Sequence, residues 1–117
     1  MPKLITAPTA IEVPGGKEIL EFVGAVNSGN ANVSVAKMVA PPHWTEPFQT
    51  PEFDEITLVL RGKVQLEHDG GVTVITAGQA IITKAGERIR YSTLDVETEY
   101  VAICLPAFSP DLVNREE

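Results

Sequence analysis

Along most of the chain, apolar side chains return at every second position, the repeat of a strand with one buried face, and seldom at the spacing of a helix. The pattern runs through segments 19–23, 33–39, 56–60, 63–67, 72–75, 80–83, 88–91 and 99–105. Glycines punctuate them. Gly62 predicts a tight turn with positive φ between 56–60 and 63–67, Asp69-Gly70-Gly71 predicts a hairpin, and Gly78 and Gly86 predict further turns. Short strands with turns at intervals of roughly 8–12 residues predict an all-β sandwich or barrel. Only residues 110–117 read as a short helical turn.

Segment 40–55 breaks this rhythm, with four of the nine prolines, the only tryptophan and four of the sixteen acids. Proline fixes φ and removes a backbone donor, so the segment is predicted to be an ordered loop or a bent edge strand. Aromatic and acidic side chains on a stiff loop over a barrel mouth suit a ligand-facing surface.

At 117 residues the chain is expected to form one domain, with a core over about 33–105, an N-terminal arm over 1–18 and a tail over 106–117. The formal charge of -7 and nine scattered basic residues argue against a nucleic-acid partner, because a phosphate backbone calls for clustered Lys and Arg. No stretch is long and apolar enough to span a membrane, and the N-terminus lacks the apolar centre of a signal peptide. With a single cysteine, Cys104, no internal disulfide can form, so a cytoplasmic location is expected. Cys104 lies in an apolar run and reads as a small buried hydrophobe.

The glycines and their spacing give the chain a resemblance to the cupin family over about 33–105. Where the first cupin motif has Gly, His, His, Glu and Gly, this chain has His43, Gln49, Pro51, Glu55 and Gly62. Where the second has Gly, Pro, Gly, His and Asn, it has Gly78, Lys84, Gly86, Ile89 and Thr93. The resemblance implies a double-stranded β-helix, or jelly-roll barrel, in a small single-domain cupin that pairs as a homodimer. It also implies that Gln49, Pro51, Glu55 and Ile89 point into the barrel. Cupins hold divalent metals through imidazoles and a carboxylate, whereas Gln49 offers a weak oxygen, and Pro51 and Ile89 offer no side-chain donor. No metal and no other cofactor is therefore expected; a metal-dependent cupin with a non-standard site is the remote alternative.

Glu55 is the leading candidate residue. In an apolar setting its pKa would rise towards the range of a general acid or base; alternatively it is a structural relic, paired inside the barrel. If Ile89 faces inward, alternation turns Tyr91 inward too and leaves Arg88 and Arg90 outside. Tyr91 then either meets a ligand and moves a proton near Glu55, or simply fills the barrel. Gln49 can fix a ligand by hydrogen bonds or tie down backbone. Trp44 can stack on a planar ligand, cap the barrel or pack against a second copy. His43 can pair with Glu46 or stand in solvent. The acids Glu46, Glu52, Asp54 and Glu55 have no calcium-loop spacing and read as a solvated rim; His68 reads as a surface residue at its hairpin.

The expected function is metal-independent binding of a small polar metabolite, a sugar derivative or an organic acid, by Gln49, Trp44, His43 and Glu46. The alternative is an enzyme of isomerase or lyase type, with Glu55 as general acid or base and Tyr91 or His43 as its partner. Cupins of the ethanolamine-utilisation type have been linked to phosphoryl transfer from ATP to a carboxylate. This chain has no phosphate-cradling glycine loop followed by Lys, so that option rests on fold analogy.

Overall fold

The computed structural model describes residues 1–116. The described residues form strands β1 (Thr9–Ile11), β2 (Glu18–Val23), β3 (Ser34–Ala40), β4 (Asp54–Arg61), β5 (Lys63–His68), β6 (Gly71–Thr76), β7 (Ala80–Thr83), β8 (Arg90–Thr93) and β9 (Thr98–Leu105), followed by the short helix α1 (Pro110–Val113). The strands pair antiparallel in two sheets, one ordered β1-β2-β3-β9-β4-β7 and the other β6-β5-β8. No helix among the described residues is long and apolar enough to cross a membrane.

The period-two pattern decides which side chains face inward. Along β4 these are Glu55, Thr57 and Val59, and the register sets them beside Cys104, Ala102 and Tyr100 of β9. From the smaller sheet Val64, Leu66 and Tyr91 point back, and with Ala40, Trp44, Val59, Ile75, Ile89 and Tyr100 they form one apolar cluster between the sheets. Each fully buried aliphatic side chain there contributes about 1.5–3 kcal/mol. A second cluster of Phe53, Cys104 and Val113 is packed by Phe108, whose ring meets Phe53 edge-on at 6.0 Å between centroids.

Gly62 has φ 82°, as the turn between β4 and β5 requires, and a Cβ there would lie 2.5 Å from Thr98 Oγ1 and 2.7 Å from the Glu97 carbonyl oxygen. Apart from shifts of one or two residues at strand ends and a shorter C-terminal helix, two departures from the sequence pattern bear on the site. Within the predicted arm, Thr9–Ile11 adds a strand to the edge of β2. The segment expected over 88–91 becomes a strand only at Arg90 and runs on to Thr93. Ile89 sits instead in an isolated bridge: its N–H donates to the Gln49 carbonyl at 2.8 Å, and the Gln49 N–H donates to the Ile89 carbonyl at 2.9 Å. This isolated bridge anchors the proline-rich loop to the barrel.

Candidate functional site

The inner wall holds a cavity of about 60 Å³. It lies against Glu55 of β4, Tyr91 of β8, Tyr100 and Cys104 of β9, and Glu46 and Gln49 of the proline-rich loop. A mouth of about 180 Å³, bordered by Trp44, Pro47 and Pro14, shares Lys17, Glu46 and Arg115 with the inner space. Lys17 and Arg115, from the two ends of the chain, thus face the same opening as the loop acid.

Glu55 sits at the centre of a hydrogen-bond relay. Tyr91 Oη donates to its Oε1 at 2.9 Å, Thr57 Oγ1 approaches Tyr91 Oη at 3.5 Å, and Cys104 Sγ donates to Oε2 at 3.8 Å. Burial pushes the Glu55 pKa up to about 7; the Tyr91 hydrogen bond opposes this and the nearby Glu46 charge adds to it. Burial also raises Glu46, against the pull of Lys17 and Arg115, and holds the Tyr91 and Tyr100 hydroxyls and the Cys104 thiol protonated. For Lys17 burial works the other way, bringing its pKa down to about 8 despite Glu46 and Glu55. Its amine rests 4.2 Å from the centre of the Trp44 ring and 5.2 Å from that of Tyr100, and it makes no ion pair within 4 Å among the described residues.

Among the described residues, two acceptor atoms in this region have no partner: Glu46 Oε2 and Gln49 Oε1 are buried and accept no hydrogen bond. A buried polar atom left unsatisfied costs about 1–3 kcal/mol, so two on one cavity wall mark where donors are wanted.

Of the residues singled out from sequence, Glu55, Tyr91, Gln49 and Glu46 meet at this cavity, and Trp44 lines its mouth. Trp44 is also buried in the core and lies under the Lys17 amine, so it caps the barrel. His43 is not brought in. It is exposed, with φ 57°, and its backbone N–H donates to Leu94, a turn that points the imidazole away from the lining. The acidic segment does not form one solvated rim: Glu46 and Glu55 turn inward, Glu52 accepts from Asn114, and Asp54 accepts from the Ala85 N–H. Pro51 and Ile89 are buried but do not line the cavity. Sequence reasoning passed over Lys17, Arg115 and Cys104 as site residues. The signal for Lys17 was the pair Gly15-Gly16, whose φ of 88° and 77° turn the chain so that Gly15 passes against the Trp44 indole.

The donor set does not fit a cupin metal. Ile89 and Pro51 supply no ligand atom, the Glu55 carboxyl is engaged by Tyr91 and Cys104, and no group of three or more His, Cys, Asp or Glu among the described residues is placed to hold an ion.

Two antiparallel sheets enclosing a pocket on the inner faces of β4, β8 and β9 define a small cupin-fold protein, and solved structures agree. An RmlC-like cupin from Shewanella frigidimarina superposes with a TM-score of 0.76 at 13% identity, over 90% of this chain and 89% of that one. The polyketide cyclase RemF from Streptomyces resistomycificus does so with 0.75 at 19% identity, over 97% and 84%. A putative ethanolamine utilization protein Q from Salmonella typhimurium gives 0.68 at 18% identity, over 87% and 96%. Residues 43–109 match the family of the ethanolamine utilisation protein EutQ, and the chain belongs to that family. It is also 41% identical over 102 residues to a protein of Myxococcus xanthus named endoribonuclease YbeY; the match takes in 86% of this chain and 35% of that relative's length.

Proposed function

We propose that the protein binds a small polar metabolite, an organic acid or a sugar acid, in this cavity without a metal. The observation that carries the reading is the pair of unpartnered acceptors, Glu46 Oε2 and Gln49 Oε1, on the wall of a pocket whose mouth holds Lys17 and Arg115. A ligand with hydroxyl donors and one carboxylate satisfies both: its hydroxyls donate to the orphaned oxygens while its anion lies towards the two cations. The space suits a molecule of a few heavy atoms. The activity named for the Myxococcus relative is not part of this reading, because a net charge of -7 and so small a pocket do not suit a polynucleotide.

The test is a calorimetric and thermal-shift comparison of small hydroxy acids and sugar acids with wild type, Gln49→Leu and Glu46→Gln. The expected result is a shift for at least one hydroxy acid, weakened about tenfold or more in Gln49→Leu by loss of a buried hydrogen bond. Hydroxy acids that bind all three proteins equally, or none of them, would overturn it.

A second reading rests on the Glu55–Tyr91 pair. A carboxyl with a pKa of about 7 on a cavity wall can take or give a proton at neutral pH, which suits an isomerase or lyase step. Glu55→Gln separates the two readings: an enzyme loses turnover and keeps binding, whereas a binder changes in affinity alone. For assembly we propose a homodimer, supported by the outward Leu58, Leu60 and Ile82 on β4 and β7, which are 38%, 46% and 63% exposed. Light scattering at micromolar concentration checks it, and a monomer would contradict it.

A further inference from the structure

We infer that Lys17 is a nucleophilic amine that forms a reversible imine with a small carbonyl acid, such as a 2-oxo acid or an aldehyde acid, held in the mouth of the cavity. This deepens the organic-acid reading and rests on it. The placement carries the inference. The Lys17 amine lies inside the opening between the Trp44 and Tyr100 rings, has no carboxylate within ion-pair distance among the described residues, and borders both the inner cavity and the mouth. Surface lysines are spent differently: Lys37, Lys63 and Lys84 each lie within 4.0 Å of a carboxylate and point to solvent.

The charged groups around Lys17 are Glu46, Glu55 and Arg115. Arg115 supplies a cation for the carboxylate of the incoming acid. Glu46, with its unpartnered Oε2, supplies an acid and base beside the amine. Burial lowers the Lys17 pKa to about 8, so more of its amine is unprotonated at pH 7 than in an ordinary lysine. A desolvated lysine beside a second cation is the arrangement that activates an amine towards carbonyls.

The step balances without a redox partner. The Lys17 nitrogen lone pair attacks the carbonyl carbon, a C–N bond forms, and the C–O π pair moves to oxygen. The nitrogen gives one proton to the Glu46 carboxylate, which passes it to that oxygen, leaving a neutral carbinolamine. The nitrogen lone pair then forms C=N as the C–O bond breaks, and the departing hydroxide takes the remaining nitrogen proton through Glu46 and leaves as water. Carbonyl compound and amine thus give imine and water, and hydrolysis reverses the sequence.

The experiment incubates the full chain with glyoxylate at pH 7, reduces with borohydride and maps carboxymethyl-lysine by peptide mass spectrometry. Lys17 is expected to be labelled about tenfold faster than Lys3, Lys37, Lys63 or Lys84, since its larger fraction of free amine is partly offset by lower basicity. Glycolate, which has the acid but no carbonyl, should slow labelling at Lys17 alone, and Lys17→Arg should remove the fast site while keeping the charge. Equal labelling of all lysines, or fast labelling of Lys17 that glycolate leaves unchanged, would overturn the inference. A thermal shift with glyoxylate or glycolate but no preferred adduct would overturn the imine and leave the binding reading standing. Absence of both shift and adduct would remove the two together.

Discussion

Tyr91 reaches across from the smaller sheet to donate its hydroxyl to Glu55 of the larger one, 2.9 Å away, and the thiol of Cys104 meets the other carboxyl oxygen at 3.8 Å. Both donors stay protonated because burial raises them, so the carboxyl is surrounded by groups that give hydrogen bonds and do not ionise in the physiological range. Desolvation nevertheless outweighs them and leaves Glu55 titrating near neutrality.

The first consequence concerns stability against pH. Glu55 moves from 4.5 to about 7 on folding, so its contribution is fully present below the unfolded pKa and is lost as pH rises through that window. Over this interval the loss amounts to about 3 kcal/mol at most. Glu55→Gln should flatten the fall and make the variant more stable than wild type at pH 8 but not at pH 4. Urea unfolding at the two pH values checks this.

Lys17 has the opposite slope. Its folded pKa of about 8 is depressed from 10.5, so the folded state gains stability as pH rises between those values. Lys17→Met should be more stable than wild type at pH 7 and should lose the rise above pH 8. A pH series of denaturant midpoints reads the difference.

Tyr91→Phe removes the hydrogen bond that holds the Glu55 pKa down. The carboxyl should then titrate higher, and stability at pH 7 should fall by about 1 kcal/mol for the lost hydrogen bond. A ¹³C NMR titration of the Glu55 carboxyl follows the pKa directly, and an unchanged value would contradict the relay.

Gly62→Ala places a Cβ against Thr98 Oγ1 and the Glu97 carbonyl at a backbone φ of 82°. Strain and clash together should cost more than about 1 kcal/mol. Thermal unfolding should show it, while Gly71→Ala past the far end of β5, with nothing within 4 Å of its Cβ, should lose less.

Elemental analysis of protein purified without tag or chelator should find no stoichiometric transition metal, given a donor set that lacks imidazole. One equivalent of zinc, iron, manganese or nickel would contradict the chemistry assigned to the site.

Most strands were legible in the sequence because inward positions on β4, β5 and β9 alternate with outward ones, and Gly62, Gly71 and Gly86 mark the turns between them. Glu55 is placed inside by the cupin resemblance, and Tyr91 by alternation from Ile89, which the resemblance also turns inward. The start of β8 at Arg90 could not be read, since alternation alone does not show that Ile89 bridges a loop residue forty positions earlier, Gln49. Lys17 and Arg115 were hidden for a related cause. Each lies outside the alternating segments, and only the pairing of β2 with β3 and the bridge of Arg115 to Gln49 carry them to the opening.

The pocket is walled on one side by Ile11, Val13 and Lys17 near the start of the chain, and on the other by Val113 and Arg115 near its end. β1 is a sheet edge that pairs with β2 alone, tied further by Asn27 Nδ2 to the Ala7 carbonyl and Thr9 Oγ1. Such edges detach at a fraction of the global unfolding free energy. Under the proposed binding role, occupancy should slow amide hydrogen exchange at residues 9–11 and 113–115 together, two ends of the chain reporting one event.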